Sequence, residues 1–269
     1  MLLPLLIASL LAADPVSLQG ETPTTTAPAA SAALQRSPLV TLLLQAHGGQ
    51  ERVEALKGVR FELTQVTMPA PTEADPEPAP VSAEPVRFSI QYAGDGGRLV
   101  RLEQRAGESD LVRLASGGGA SVWIDGEARS SAELGLEAQG MAAEMFVVLD
   151  LVWGMVNGQV VSEPSGRKRR DDVDYLTARV TFPPSRSVPS IYLLYVNPKT
   201  GLVDRADVFD EKSLRRMATI SFGGYVALDG PQVPTQITFS DRDKRPLVRW
   251  ELSGAEINPT WPEGHFERP

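Results

Sequence analysis

The chain reads as mainly β with helices, an α+β protein built on an antiparallel meander. Three observations carry this. Val59, Phe61 and Leu63 alternate with Arg60, Glu62 and Thr64, and Val86, Phe88, Ile90 and Tyr92 alternate with Arg87, Ser89 and Gln91, the two-residue period of a half-buried strand. Turn signals such as Gly94-Asp95-Gly96-Gly97 and Gly117-Gly118-Gly119 separate such runs at short intervals. The pattern breaks once, over 133–156, where 141–156 is apolar on nearly all sides.

The chain opens on an apolar run that ends in small residues, Met1-Leu2-Leu3-Pro4-Leu5-Leu6-Ile7-Ala8-Ser9-Leu10-Leu11-Ala12-Ala13. It has the form of a secretory signal peptide, and is shorter than the about 20 apolar residues that span a bilayer. No Lys or Arg precedes it, and cleavage after Ala13 would leave Leu11 at a position that favours a small residue. Residues 14–37, rich in Thr, Ala, Pro and Ser, are expected to form a disordered linker, because they cannot bury enough apolar surface to offset the entropy of ordering.

The folded domain is expected over 38–269. Ser37 suits a helix cap and Pro38 a first turn, and Leu39, Leu42, Leu43 and Ala46 recur at helical spacing. Gly48-Gly49 interrupts, and a second short helix runs from Gln50 to Leu56 and stops at Gly58. Strands follow at 59–64, 86–92, 99–103, 111–115 and 121–124. Between the first two lies a Pro-rich stretch, 69–85, with six prolines and four acids, expected to be a disordered loop within the domain. A helix apolar all round is buried all round, so 141–156 is expected to lie across or inside the curve of the sheet. Its length and its acids Glu144 and Asp150 argue against a membrane span. Strands resume at 175–182, 191–196, 203–209, 217–226, 235–240 and 247–257, about eleven in all, with hairpin turns at 197–201 and 241–244.

Composition excludes several classes. There is no cysteine, so thiol chemistry, iron–sulfur clusters, cysteine zinc sites and a lipid-carrying N-terminal cysteine are absent. A net charge of −8 does not suit a phosphate-backbone binder, and no nucleic-acid partner is expected. The one basic run, Arg167-Lys168-Arg169-Arg170, is followed at once by Asp171, Asp172 and Asp174. It reads as a solvated hairpin tip with self-compensating charge, or as an anion or membrane-surface contact.

The order of helix, strands, buried helix and further strands, with an aromatic Pro-rich ending, resembles the LolA/LolB-like superfamily of periplasmic lipoprotein carriers. The matching stretches are Leu114-Ala115-Ser116-Gly117-Gly118-Gly119-Ala120-Ser121-Val122-Trp123, Tyr195-Val196-Asn197-Pro198-Lys199-Thr200-Gly201-Leu202-Val203-Asp204-Arg205 and Ile257-Asn258-Pro259-Thr260-Trp261-Pro262-Glu263-Gly264-His265-Phe266. Ala46-His47-Gly48-Gly49-Gln50-Glu51 is similar to the opening of uncharacterised exported relatives. The first stretch has glycines where the family has Asp-Gly, and the long Pro-rich loop departs from the true carriers. The resemblance implies a half-open antiparallel β-barrel with helices covering its concave face.

His47 and His265 are the only histidines. His47 suits a helix C-terminus and His265 a surface tail, so neither a histidine metal site nor a Ser-His-Asp relay is expected. No nucleotide, hydrolase or calcium motif is present, and no cofactor or catalytic residue is assigned. Glu144 and Asp150 sit in an apolar helix, where an unpaired charge is costly. Arg60, Arg87, Arg98 and Arg101 are candidate partners, and Glu144, Asp150 and Arg60 are taken either as a latch holding helix to sheet or as a switch that opens a cavity.

Met141, Met145, Phe146, Leu149, Val152 and Trp153 are expected to face the concave side as the lid of an apolar cavity. The leading functional expectation is therefore an exported, monomeric binding or transport protein for an acyl chain, a lipid or a lipidated protein. The alternatives are an interaction module with a filled barrel and, behind it, a hydrolase.

Overall fold

The structure, a computed structural model, describes residues 38–72, 75, 77–92, 97–116, 119–149, 151–156, 160–182 and 189–267, with the backbone alone at 146–148 and 156. The leader and linker expected over 1–37 lie outside the described residues, as does Asp150.

Two short helices, α1 (Pro38–Ala46) and α2 (Gln50–Glu54), open the domain. From β1 (Gly58–Thr67) the chain walks outward through β3 (Val86–Tyr92), β4 (Arg98–Ala106), β5 (Ser109–Ser116), β6 (Gly119–Ile124) and β7 (Glu127–Arg129) to one sheet edge. Within the Pro-rich stretch, β2 (Val81–Ser82) pairs with the end of β1, so those two residues are strand and not loop. Helices α3 (Ala132–Val148) and α4 (Leu151–Val156) then carry the chain to the opposite edge. From there β8 (Val161–Arg170), β9 (Val173–Thr181), β10 (Ile191–Val196), β11 (Val203–Phe209), β12 (Arg216–Gly223), β15 (Gln236–Asp241) and β16 (Pro246–Ile257) return by a second meander. A small hairpin, β13 (Val226–Ala227) with β14 (Gln232–Val233), interrupts it.

The sheet order is β7-β6-β5-β4-β3-β1-β16-β15-β12-β11-β10-β9-β8, antiparallel throughout. The first and last strands therefore meet in the middle, Leu63 opposite Leu252 and Gln65 opposite Trp250. This open, curved sheet with helices against it is the mainly β architecture expected from the sequence.

Among the described residues fourteen strands make the main sheet, more than the expected eleven or so. The additional ones are short or polar. β8 reads Val-Ser-Glu-Pro-Ser-Gly-Arg-Lys-Arg-Arg, an edge strand with a bulge between Pro164 and Gly166. Pro, Gly and charge are what an edge tolerates and what hides a strand from pattern reading. The basic run is thus the end of β8, and the hairpin tip is Asp171-Asp172, both at positive φ, as a two-residue type I′ turn requires. Arg169 pairs with Asp172 at 3.1 Å on that exposed tip.

The segment expected as one helix over 141–156 is two, and the first begins earlier, at Ala132. Helix α1 ends as the glycines predict. Gly49 N–H donates to Leu44 O at 2.7 Å and Gly48 N–H to Gln45 O at 3.2 Å, the paired bonds of a Schellman stop. His47 belongs to that stop, its Nδ1 2.8 Å from Leu43 O.

The core fills the space between sheet and helices. Rows of inward side chains run across strands, as in Val100, Ile90 and Val59, or Leu102, Phe88 and Phe61, all buried. Phe61 and Phe88 stack with centroids 5.1 Å apart. The tail after β16 lies on the outer face, where Trp261 stacks on His265 at 4.9 Å and Arg101 Nη1 donates to His265 O at 2.9 Å.

Candidate functional site

The site follows from the strand register. Along β5, Leu111, Arg113 and Ala115 share one face, and Arg113 sits opposite Leu102 of β4 and Val122 of β6. Because Leu102 belongs to the inward row, Arg113 points inward too. It is fully buried, the largest such side chain in the described core. Gln104 of β4, two residues from Leu102, faces the same way.

Helix α3 lies over this part of the sheet. Glu137, on its second turn, comes within 3.3 Å of Arg113 Nη1. Arg113 Nη2 donates to Gln104 Oε1 at 3.1 Å, while Nε has no hydrogen-bond acceptor among the described residues. Burial pushes the Arg113 guanidinium below its ordinary pKa, and the Glu137 carboxylate partly offsets this. The two residues form a link between helix and sheet.

Beside that link is a cleft of about 230 Å³ between α3 and the sheet. Leu63, Val86, Met141 and Trp250 give it apolar walls, Gln104 and Arg113 a polar end, and Val81 to Glu84 of the Pro-rich stretch a rim. A second cavity of about 40 Å³ lies by α4, walled by Leu149, Val152 and Trp153 with Val53, Tyr92 and Val233. Trp153 packs on Tyr92 with ring centroids 4.3 Å apart. His47 touches the same cavity, and burial lowers its pKa.

The expected lid residues therefore fall in three places. Met141 lines the larger cleft, Leu149, Val152 and Trp153 line the smaller, and Met145 is fully buried in the core. The side chain of Phe146 lies outside the described residues. Of the expected latch, Glu144 is buried with Oε1 unpartnered, and desolvation raises its pKa to about 8. Arg60 is ion-paired with Glu256 on the outer face, where both are substantially exposed. Arg87 likewise pairs with Glu62, and Arg101 with Glu103. Sequence reasoning missed Arg113, Gln104 and Glu137. The signal was an arginine between Leu111 and Ala115 in the inward phase of a strand.

Among the described residues no cluster of His, Asp or Glu is arranged to hold a metal ion, and no helix is long and apolar enough to cross a membrane. No family model matches the chain, and no curated protein matches it by sequence. Solved structures do. A DUF1329 family protein from Desulfovibrio piger superposes with a TM-score of 0.56 at 14% identity, over 85% of this chain and 95% of that one. A LolA superfamily protein from Nitrosomonas europaea gives 0.53 at 18% identity, over 84% and 96%. A domain named as an outer membrane lipoprotein-sorting protein, from Vibrio parahaemolyticus, gives 0.56 at 8% identity, over 87% and 97%. At such identities the likeness is one of fold, and the fold of this chain is the curved, helix-covered sheet of LolA superfamily proteins.

Proposed function

We propose that the protein is an exported carrier or binding protein that takes an acyl chain or other lipid tail between α3 and the curved sheet, and that it is not an enzyme. The observation that carries this reading is the cleft beside Arg113, walled by Leu63, Val86, Met141 and Trp250 with polar side chains such as Gln65 and Gln104 between them, and covered by one helix. Its volume of about 230 Å³ is below the roughly 300–1,000 Å³ usual for small-molecule pockets. A tail would enter by displacing the flexible Met141 and the β2 rim. Residues 1–13 act as the leader in this reading, which places the protein outside the cytoplasm. The name of the Vibrio parahaemolyticus relative, a lipoprotein-sorting protein, is in keeping with such a role.

The test is a thermal melt of delipidated protein with and without a long-chain fatty acid or a lysolipid. Saturating ligand raises the melting temperature, because binding only the fold adds about 2.7 kcal/mol of stability at a hundred times Kd. The small cavity by α4 and the complete burial of Met145 favour a second reading, a filled barrel that acts as an interaction module. Absence of any shift with every lipid tried would leave that reading in place of the carrier.

A further inference from the structure

We propose that Arg113 is the receptor for the acidic head of a single-chain anionic amphiphile, and that Glu137 occupies that position while the cleft is empty. This rests on the carrier reading and adds the chemistry of the ligand's head.

A fully buried guanidinium is costly unless its donors are satisfied. A purely structural latch would satisfy them. Here Gln104 accepts one bond at 3.1 Å, and Glu137 holds Nη1 by a longer ion pair at 3.3 Å. Nε lacks an acceptor among the described residues. With Nη2 engaged by Gln104, the remaining donors Nε and Nη1 lie on different sides of the guanidinium, and each can meet one oxygen of a carboxylate or phosphate, which arginine binds by charge-assisted hydrogen bonds.

The two partners differ in freedom. Arg113 is held inside, while the Glu137 side chain keeps 18% of its surface in contact with solvent. A ligand acid entering the cleft would therefore displace Glu137 outward, loosening α3 from β5 at the same moment. The cleft's direction fits such a ligand. Arg113 stands on β5 and Trp250 on β16, four strand positions away across β4, β3 and β1. At the usual spacing of about 4.8 Å this is about 19 Å, enough for an extended alkyl tail. Leu63, Val86 and Met141 line the way.

The experiment is calorimetric titration of the delipidated full chain with hexadecanoate, hexadecyl phosphate and hexadecanol. One or both anions should bind at least about tenfold tighter than the alcohol, the equivalent of one charge-assisted hydrogen bond. The tighter of the two identifies the head as carboxylate or phosphate. Arg113→Met should abolish the preference while keeping alcohol binding. Glu137→Gln, which spares the buried arginine, should tighten binding of the anions several-fold and leave the alcohol unchanged. Equal binding of anions and alcohol by the wild type would overturn the role of Arg113 and leave the carrier reading intact. Binding of none of the three would overturn both.

Discussion

The Glu144 carboxyl on α3 and the Tyr192 phenol on β10 are buried within electrostatic reach of each other, and among the described residues neither Glu144 Oε1 nor Tyr192 Oη has a hydrogen-bond partner. Desolvation raises both pKa values, and the negative charge of Glu144 pushes the phenol further. Ser162 of β8, opposite Val180 and so in the same row as Tyr192, has an unpartnered Oγ as well. The interior at this end of the sheet holds polar atoms that the fold does not satisfy.

Glu144 therefore makes stability depend on pH. Its pKa rises from 4.5 unfolded to about 8 folded. Between those values the folded chain keeps a proton that the unfolded chain releases. The protonated acid's contribution is complete below pH 4.5 and is lost as pH rises, at up to about 1.4 kcal/mol per pH unit. Glu144→Gln should remove this loss. Denaturant unfolding of both proteins at pH 5 and pH 8 should show the variant gaining on the wild type toward pH 8. A difference independent of pH would mean that Glu144 is ionised and paired in the fold. Tyr192→Phe, which removes an unpartnered hydroxyl, should be neutral or slightly stabilising.

Met145 and Met141 separate core from cleft on one helix. Met145 is fully buried, so Met145→Ala should cost about 2–5 kcal/mol. Met141 is half-buried and borders the cleft, so Met141→Ala should cost less and widen the space available to a tail. Urea unfolding of the two variants gives the comparison, and equal losses would place Met141 in the packed core.

Gly48 carries two constraints at once. Its φ of 85° is left-handed, and a Cβ there would meet Gly230 Cα at 2.8 Å. Gly107, at φ 67°, has open space around it. Gly107→Ala should cost about 1 kcal/mol, the conformational penalty alone. Gly48→Ala should cost clearly more, since backbone must also move, and melting temperatures of the two variants would rank them.

Charged groups on the outer face should differ as sharply. Asp207 is buried and accepts from Tyr195 Oη at 2.9 Å, Arg205 Nε at 2.9 Å and Thr219 Oγ1 at 3.0 Å. Asp207→Ala leaves Arg205 without its carboxylate and should cost about 3–5 kcal/mol. Arg60→Ala breaks only the exposed pair with Glu256 and should cost no more than about 1 kcal/mol. Equilibrium unfolding that ranked the two the other way would refute this account of the outer face.

Much of this was legible in one dimension. The two-residue alternation over Val59 to Leu63 and Val86 to Tyr92 specifies strands, because side-chain direction in a strand is a local property. Gly48-Gly49 specifies the end of α1, because only a residue free to adopt positive φ makes that stop cheaply. Strands such as β8 and β2 were not legible, since pairing with β9 and β1 outweighs their Pro and charge content. Sequence alone thus determined a mainly β meander with one buried helical crossover.

Tertiary structure decided which residues meet. The helical acids Glu144 and Glu137 look alike in the sequence, yet one is buried without a partner on its Oε1 and the other stands 3.3 Å from Arg113. That choice depends on where α3 lands on β5 and β6, which is set by the distance between the two sheet edges the crossover must join. The sheet edges in turn are set by β1 pairing with β16, a contact between strands nearly two hundred residues apart (Val59 opposite Ile257). Local periodicity can place a side chain on a face, but only the closing of that long loop places one face against another.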